Sequence, residues 1–191
     1  VNDRGNVQIA ADDGQEQPRN LRNLHAIIET TQNVKEHVLT MLDEDAFPLI
    51  LGGDHSISIG TLSAISERTE NLGVIWYDAH GDLNRPETSP SGNIHGMPLA
   101  VLLGNGHPFL TEIVSEKLDP KRIVLIGTRD LDDGERSLIR ELGIKVFTMH
   151  EVDLLGMSKV IEQTLEHLKD VEAIHLSLDL DALDPNECPG V

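Results

Sequence analysis

Three short segments hold the residues best suited to chemistry: Gly52-Gly53-Asp54-His55-Ser56, Asp78-Ala79-His80-Gly81-Asp82 and Ser177-Leu178-Asp179-Leu180-Asp181. Each follows or ends an apolar run that reads as a buried strand. Asp78, His80 and Asp82 stand at alternate positions, as do Asp179 and Asp181, and alternate residues of a strand share a face. Carboxylates crowded on one face repel unless a positive charge lies between them. A site for two divalent cations, built on His55, Asp78, His80, Asp82, Asp179 and Asp181, is the economical explanation. Asp54 and Asp184 fall outside the alternation and read as hydrogen-bond partners of the ligand loops.

Each motif has a plainer alternative. Asp-x-His-x-Asp also occurs at polar strand ends, Asp-x-Asp is weak alone, and a lone His55 would ordinarily be a hydrogen-bonded core histidine. Three such matches at three strand ends favour the metal reading. Carboxylate and imidazole donors without thiolate suit manganese, with iron, cobalt, nickel or zinc as replacements, and the imidazoles disfavour calcium. Two such ions about 3.5–4 Å apart would acidify a shared water, which predicts hydrolysis and leaves the substrate open.

The elements that must position these residues alternate strand and helix. Helical spacing over 20–43 is followed by a short buried strand, Phe47 to Leu51, and a helical stretch, Ile57 to Ser66. Val74 to Tyr77 is a strand, 83–94 a loop, and 95–103 and 108–117 are helical. Ile123 to Ile126 and Ile144 to Phe147 are strands, separated by a loop from Arg129 and a helix through Leu142. Residues 151–169 form one amphipathic helix with Val152, Leu155, Val160, Ile161, Leu165 and Leu168 inward, and Ala173 to Asp181 is the last strand. This order predicts a three-layer αβα fold with a mostly parallel sheet, and ligands at the carboxyl ends of its strands. In the last strand Ile174, Leu176, Leu178 and Leu180 alternate with His175, Ser177, Asp179 and Asp181. That polar row needs a function on a central strand, or an edge position with one wet face.

Composition narrows the partners. The 191 residues hold 15 Lys and Arg against 33 Asp and Glu, a net charge of −18. That balance disfavours nucleic acid and anionic membrane surfaces and suits cationic ligands. Two divalent ions would bring −18 to −14. Cys188 is the sole cysteine, so a disulfide framework is excluded and a reducing, cytoplasmic setting is expected. No run approaches membrane-spanning length. The chain starts without Met and stops at Cys188-Pro189-Gly190-Val191, so residues 1–191 are expected to be one domain, cut at both ends.

These motifs resemble the three metal motifs of the ureohydrolase (arginase/agmatinase) family, and the chain is most similar to its bacterial arginase branch. The resemblance runs through essentially all 191 residues. It implies two Mn²⁺ ions: His55 on one and His80 on the other, Asp78 and Asp179 touching both, Asp82 completing the first site and Asp181 the second. It implies hydrolysis of the L-arginine guanidinium to L-ornithine and urea by a metal-bridging hydroxide. Asp82 would carry the proton to the leaving amine, and His95 would shuttle protons to solvent. The loop Asn84–Gly96 matches the stretch that separates arginases from agmatinases. There Asn84, Ser91 and Asn93 would bind the substrate carboxylate, which agmatine lacks, while Asp132 and Glu135 would receive the α-amino group. Without the resemblance, Asp132 and Glu135 read as carboxylates at a helix N-terminus. The resemblance further implies trimers or hexamers, and strands plus a guanidinium-binding glutamate beyond the ends of this chain. Agmatinase, guanidinobutyrase or formiminoglutamase activity, a silent arginine-binding subunit and an inert fragment are the alternatives.

Overall fold

The computed structural model describes residues 1–12, 14, 16–186 and 188, so the Pro189–Val191 ending lies outside the described residues. Four strands, β1 (Leu72–Tyr77), β2 (Ile123–Thr128), β3 (Lys145–Thr148) and β4 (Ala173–Leu178), form one sheet in the order β3-β2-β1-β4. Every ladder is parallel. β1 and β2 are apolar at nearly every position because they are covered on both faces.

The alternation of side chains divides the core in two. Val74, Trp76, Ile123 and Leu125 face a cluster completed by Leu24 of α1 (Leu24–Asp43), Ile59 and Leu62 of α2 (Ile57–Ser66), α3 (Pro98–Leu102) and Leu138 of α5 (Asp133–Leu142). α4 (Pro108–Thr111) closes that layer through Leu110. On the opposite face Ile75, Val124, Ile126 and Phe147 pack on Val152 of α6 (Met149–Leu155) and on Val160 of α7 (Met157–His167). The result is the expected three-layer arrangement.

Several local expectations are corrected. Phe47–Leu51 forms no strand: it pairs with nothing among the described residues, and Phe47, Leu49 and Leu51 are 93%, 66% and 84% exposed. Only Ile50 of the run reaches a core cluster, that of Val34, Val38 and Ala64, and the run meets no sheet edge among the described residues, whereas a strand needs a partner for its backbone groups. The single helix expected over 151–169 is two. Gly156 (φ 80°) stops α6, donating its amide to the Val152 carbonyl, and α7 restarts at Met157. Leu155, Ile161 and Leu165 therefore point to solvent. The stretch 95–103 is likewise a 3₁₀ turn, Ile94–Gly96, followed by α3, because Pro98 has no amide to continue the turn. Only Pro108–Thr111 of the stretch 108–117 is helical.

β4 bonds only to β1 among the described residues, so it is an edge strand. Its apolar row, Ile174, Leu176 and Leu178, is the exposed one, and Ser177 of the polar row is buried. This inverts the ordinary wet-face pattern: the polar row turns inward because it meets the site.

Candidate metal centre and cleft

β1 ends at Tyr77, as expected, so Asp78–Asp82 lie in the loop after it, and β4 ends at Leu178 and not at Asp181, so Asp179 and Asp181 lie in a loop too. Asp78, His80 and Asp82 are brought together by a tight turn in which Asp82 has a left-handed backbone, φ 52°. Such a conformation in a non-glycine residue must be held by its surroundings. Here the Asp82 carbonyl accepts from the Leu99 and Ala100 amides at the start of α3, and the next amide, Leu83, donates to Glu135 Oε1 at 3.1 Å. After β4, Asp179 caps the 3₁₀ turn Leu180–Ala182, which swings Asp181 back toward the site. His55 enters from the start of α2, where Asp54 holds the preceding turn by accepting from the Ser56 amide at 3.0 Å.

Three carboxylate oxygens surround one imidazole nitrogen. His55 Nδ1 lies 2.8 Å from Asp78 Oδ2, 3.0 Å from Asp82 Oδ2 and 3.4 Å from Asp179 Oδ2. His80 Nδ1 lies 3.4 Å from Asp78 Oδ1 and 3.0 Å from Asp181 Oδ2. The two oxygens of Asp78 therefore serve two imidazoles. The set resolves into two overlapping groups, His55 with Asp78 and Asp179, and His80 with Asp78 and Asp181.

The electrostatics show what the cluster lacks. Burial opposes charge on His55, but the hydrogen bond to Asp78 and the nearby negative charges of Asp82 and Asp78 outweigh it and hold its pKa at about 10. The hydrogen bond to Asp78 raises His80 to about 9. Burial, with Asp78 adding to it, pushes Asp82 up to about 8. Asp78 is also penalised by burial, yet its hydrogen bonds to both histidines hold it below the usual carboxylate range. Without metal, two imidazoliums supply the positive charge that the carboxylates require. Asp82 Oδ2 is buried with no hydrogen-bond partner, despite its closeness to His55, because the Nδ1 proton is directed to Asp78. A bound cation would satisfy that orphan. Donors about 2.1 Å from an octahedral ion stand about 3 Å apart, close to the separations found here. The residues therefore fit divalent metal.

Two residues on neighbouring strands hold the His55 ring. Trp76 and Ser177 are register partners across β1 and β4. The Trp76 ring stacks on His55 at 4.0 Å, and its indole N–H donates to Asp78 Oδ2 at 3.1 Å. Ser177 Oγ lies 2.8 Å from His55 Nε2. Sequence reading missed both. The inward polar row of β4 was the available signal for Ser177, and nothing in the pattern marked Trp76. His175 in that row is driven down to about 4 by burial, which keeps it neutral.

Above the cluster opens a cleft of about 280 Å³ lined by His55, His80, Asp82, Asp179 and Asp181 on its floor. Asn84, Ser91, His95, Asp132 and Glu135 line its walls, together with Ser89 and Asp130. Asn93 stands beside the lining: its amide donates to Ser91 Oγ, and it bridges to Arg22. Asp132 and Glu135 occupy the N-cap and N3 positions of α5. Glu135 is buried and accepts from the Asp132 and Leu83 amides, one on each oxygen. Burial raises its pKa. Asn84 donates to Asp132 Oδ2 at 2.8 Å, and its Oδ1 accepts from Thr88 Oγ1 at 2.9 Å.

A parallel α/β sheet carrying a carboxylate–imidazole cluster at its strand ends defines a metal-site α/β protein. The comparisons narrow that class. The chain belongs to the arginase family, whose family model matches residues 1–191. It is 55% identical over 195 aligned residues to the arginase of Staphylococcus aureus strain MRSA252, covering 100% of this chain and 65% of that protein. It is 58% identical over 174 residues to the arginase of Bacillus caldovelox, covering 90% and 58%. The crystal structure of the Bacillus caldovelox arginase superposes with a TM-score of 0.93 over 97% of this chain and 64% of that one, at 54% identity. The chain thus spans less than two thirds of the length of these relatives. No helix among the described residues is long and apolar enough to cross a membrane.

Proposed function

We propose that residues 1–191 form the larger part of a single ureohydrolase domain that hydrolyses the guanidinium of L-arginine to L-ornithine and urea with two Mn²⁺ ions. The carrying observation is Asp78, whose two oxygens address His55 and His80 separately from beneath the floor of the cleft. The arginase family match and the names of the relatives support the substrate. His55, Asp78, Asp82 and Asp179 would hold one ion, and His80, Asp78, Asp179 and Asp181 the other. When bound, the pair supplies a water acidified to near neutrality.

The protein's own residues do the rest. Asp82 lies buried on the floor of the cleft. From there its carboxylate would accept the proton of the attacking water and pass it to the leaving amine. His95 is exposed at the cleft wall, where it would exchange protons between the cleft and solvent. One N–H of Asn84 is spent on Asp132 and the other remains for the substrate carboxylate, beside Ser91 and Asn93. Asp132 and Glu135 supply negative charge for the α-amino group. Cys188 as the only cysteine supports a reducing, cytoplasmic setting, and a trimer or hexamer is part of the same proposal.

Urea release from L-arginine and from agmatine, with and without Mn²⁺, tests the reading. Manganese-dependent urea from arginine alone is the expected result. Equal turnover of agmatine would discard the roles of Asn84, Ser91 and Asn93. Absence of urea from either substrate in the whole protein would discard the activity.

A further inference from the structure

One arginine outside the cluster touches the backbone of its last loop at three points. The Arg129 guanidinium donates to the Asp181 carbonyl, to the Ala182 carbonyl at 3.1 Å and to the Leu183 carbonyl at 3.3 Å. The Arg129 and Asp130 amides both donate to the Ala79 carbonyl, at 2.8 and 3.0 Å. The Ala79 amide in turn donates to Asp181 Oδ1 at 3.3 Å, while Asp181 Oδ2 faces His80. These contacts close a circuit: the loop after β2 holds the loop after β1, that loop holds Asp181, and the Arg129 side chain returns to the backbone of Asp181.

We propose that Arg129 is a positioning residue that fixes Asp181, and through it the ion site formed by Asp78, His80 and Asp181, while the site at His55, which meets the clamped turn only through its capping residue Asp179, depends on Arg129 less. The proposal rests on the two-ion arginase reading. Its physical basis is geometric. A guanidinium offers several donors in a rigid planar fork, so one side chain can fix three successive carbonyls, and each bond is strengthened by charge. A lysine ammonium is a single point that cannot span the same three acceptors. His55, by contrast, is held by Trp76 and Ser177, and Asp82 by α3 and Glu135, none of which touches Arg129.

The test compares wild type, R129A and R129K in the whole protein, using Mn²⁺ alone as probe. Calorimetric titration and low-temperature electron paramagnetic resonance report each ion. In R129A one ion should bind within about threefold of wild type, and the other should weaken about 10–100-fold, the usual cost of losing an outer partner of a metal site. At two equivalents of Mn²⁺ the spin-coupled pair signal should give way to that of isolated Mn²⁺, and excess metal should restore it. With that excess, kcat should recover while KM for L-arginine stays unchanged. R129K should remain defective, and it carries the test if R129A fails to fold. Equal weakening of both ions, no weakening, or full rescue by lysine overturns the clamp alone. A wild type that takes up no second ion overturns both the clamp and the reading beneath it.

Discussion

Asn84 Nδ2 donates to Asp132 Oδ2 across 2.8 Å, joining the loop after β1 to the N-terminus of α5. The residue proposed to read the substrate carboxylate and the residue proposed to read its amine are thus one hydrogen-bonded unit. N84A should raise KM for L-arginine by at least about tenfold with a smaller change in kcat, because it removes a ground-state contact. The double variant N84A/D132A should cost less than the sum of the two single ones, by about 0.5–3 kcal/mol in kcat/KM. Strict additivity would show that the two residues act separately.

Ser177 and Trp76 hold the His55 and Asp78 side chains from behind. S177A removes the partner of His55 Nε2 and frees the ring to turn. Mn²⁺ affinity should fall about 10–100-fold, as is typical when an outer partner of a metal ligand is lost. W76F retains most of the stacking surface but loses the indole N–H to Asp78, so it should show the smaller loss. Equilibrium dialysis of the purified variants measures both. An unchanged S177A would mean that packing alone orients the imidazole.

The metal-free protein should lose stability as pH rises from about 6 to 10. His55 and His80 have folded values of about 10 and 9 against an ordinary 6.5. Their stabilisation is complete below pH 6.5 and disappears through the folded values. Asp82, raised from 3.8 to about 8, works in the same direction, because the fold prefers its neutral form. Asp78 is lowered, so its stabilisation is present above its ordinary value of 3.8 and is lost as acid protonates the folded carboxylate. Thermal unfolding in chelator should therefore show a falling Tm between pH 6 and 10. Added Mn²⁺ replaces the lost protons, so the Tm increase it produces should be larger at pH 9 than at pH 6. A flat metal-free profile would contradict the charged-histidine cluster.

Gly92 allows the Asn84–Gly96 loop to rest on the segment before α1. Its φ is +72°, and a Cβ there would lie 2.4 Å from the Arg19 carbonyl oxygen and 2.8 Å from the Asn20 Cα. The Gly92 carbonyl accepts from the Arg22 amide at 2.9 Å, and Asn20 Nδ2 donates to the Pro86 carbonyl at 3.0 Å. G92A must strain the backbone and push the loop off this support, at a cost of about 1–3 kcal/mol. A lower Tm together with a higher KM for L-arginine, with Mn²⁺ stoichiometry unchanged, is the expected outcome. A wild-type KM would separate this support from substrate recognition.

The residues of the site were legible in the sequence to different degrees. His55, Asp78, His80, Asp82, Asp179 and Asp181 stood out because charge cannot accumulate at apolar strand ends without a reason. The structure does gather them around the two imidazoles. Strand alternation does not bring them together: β1 ends at Tyr77, as expected, β4 stops at Leu178 short of the expected Asp181, and the turns at Asp82 and Asp181 do the gathering. Asp132 and Glu135 cap α5, as local helix chemistry required, and also line the cleft. Asn93 stands beside the lining.

The sequence by itself determined the α/β alternation and the buried β1 and β2, because burial on both faces writes a continuous apolar run. It also marked the ligand types and the likeness to the ureohydrolase family. Tertiary structure alone decided that Phe47–Leu51 pairs with no strand among the described residues, that 151–169 breaks at Gly156, and that the polar row of β4 turns inward. It alone set Trp76 beside Ser177 and Arg129 beneath residues 181–183. The physical reason is range. Periodicity and capping act over a few residues, whereas a strand partner, a ring stack or a guanidinium clamp depends on which distant segment arrives alongside.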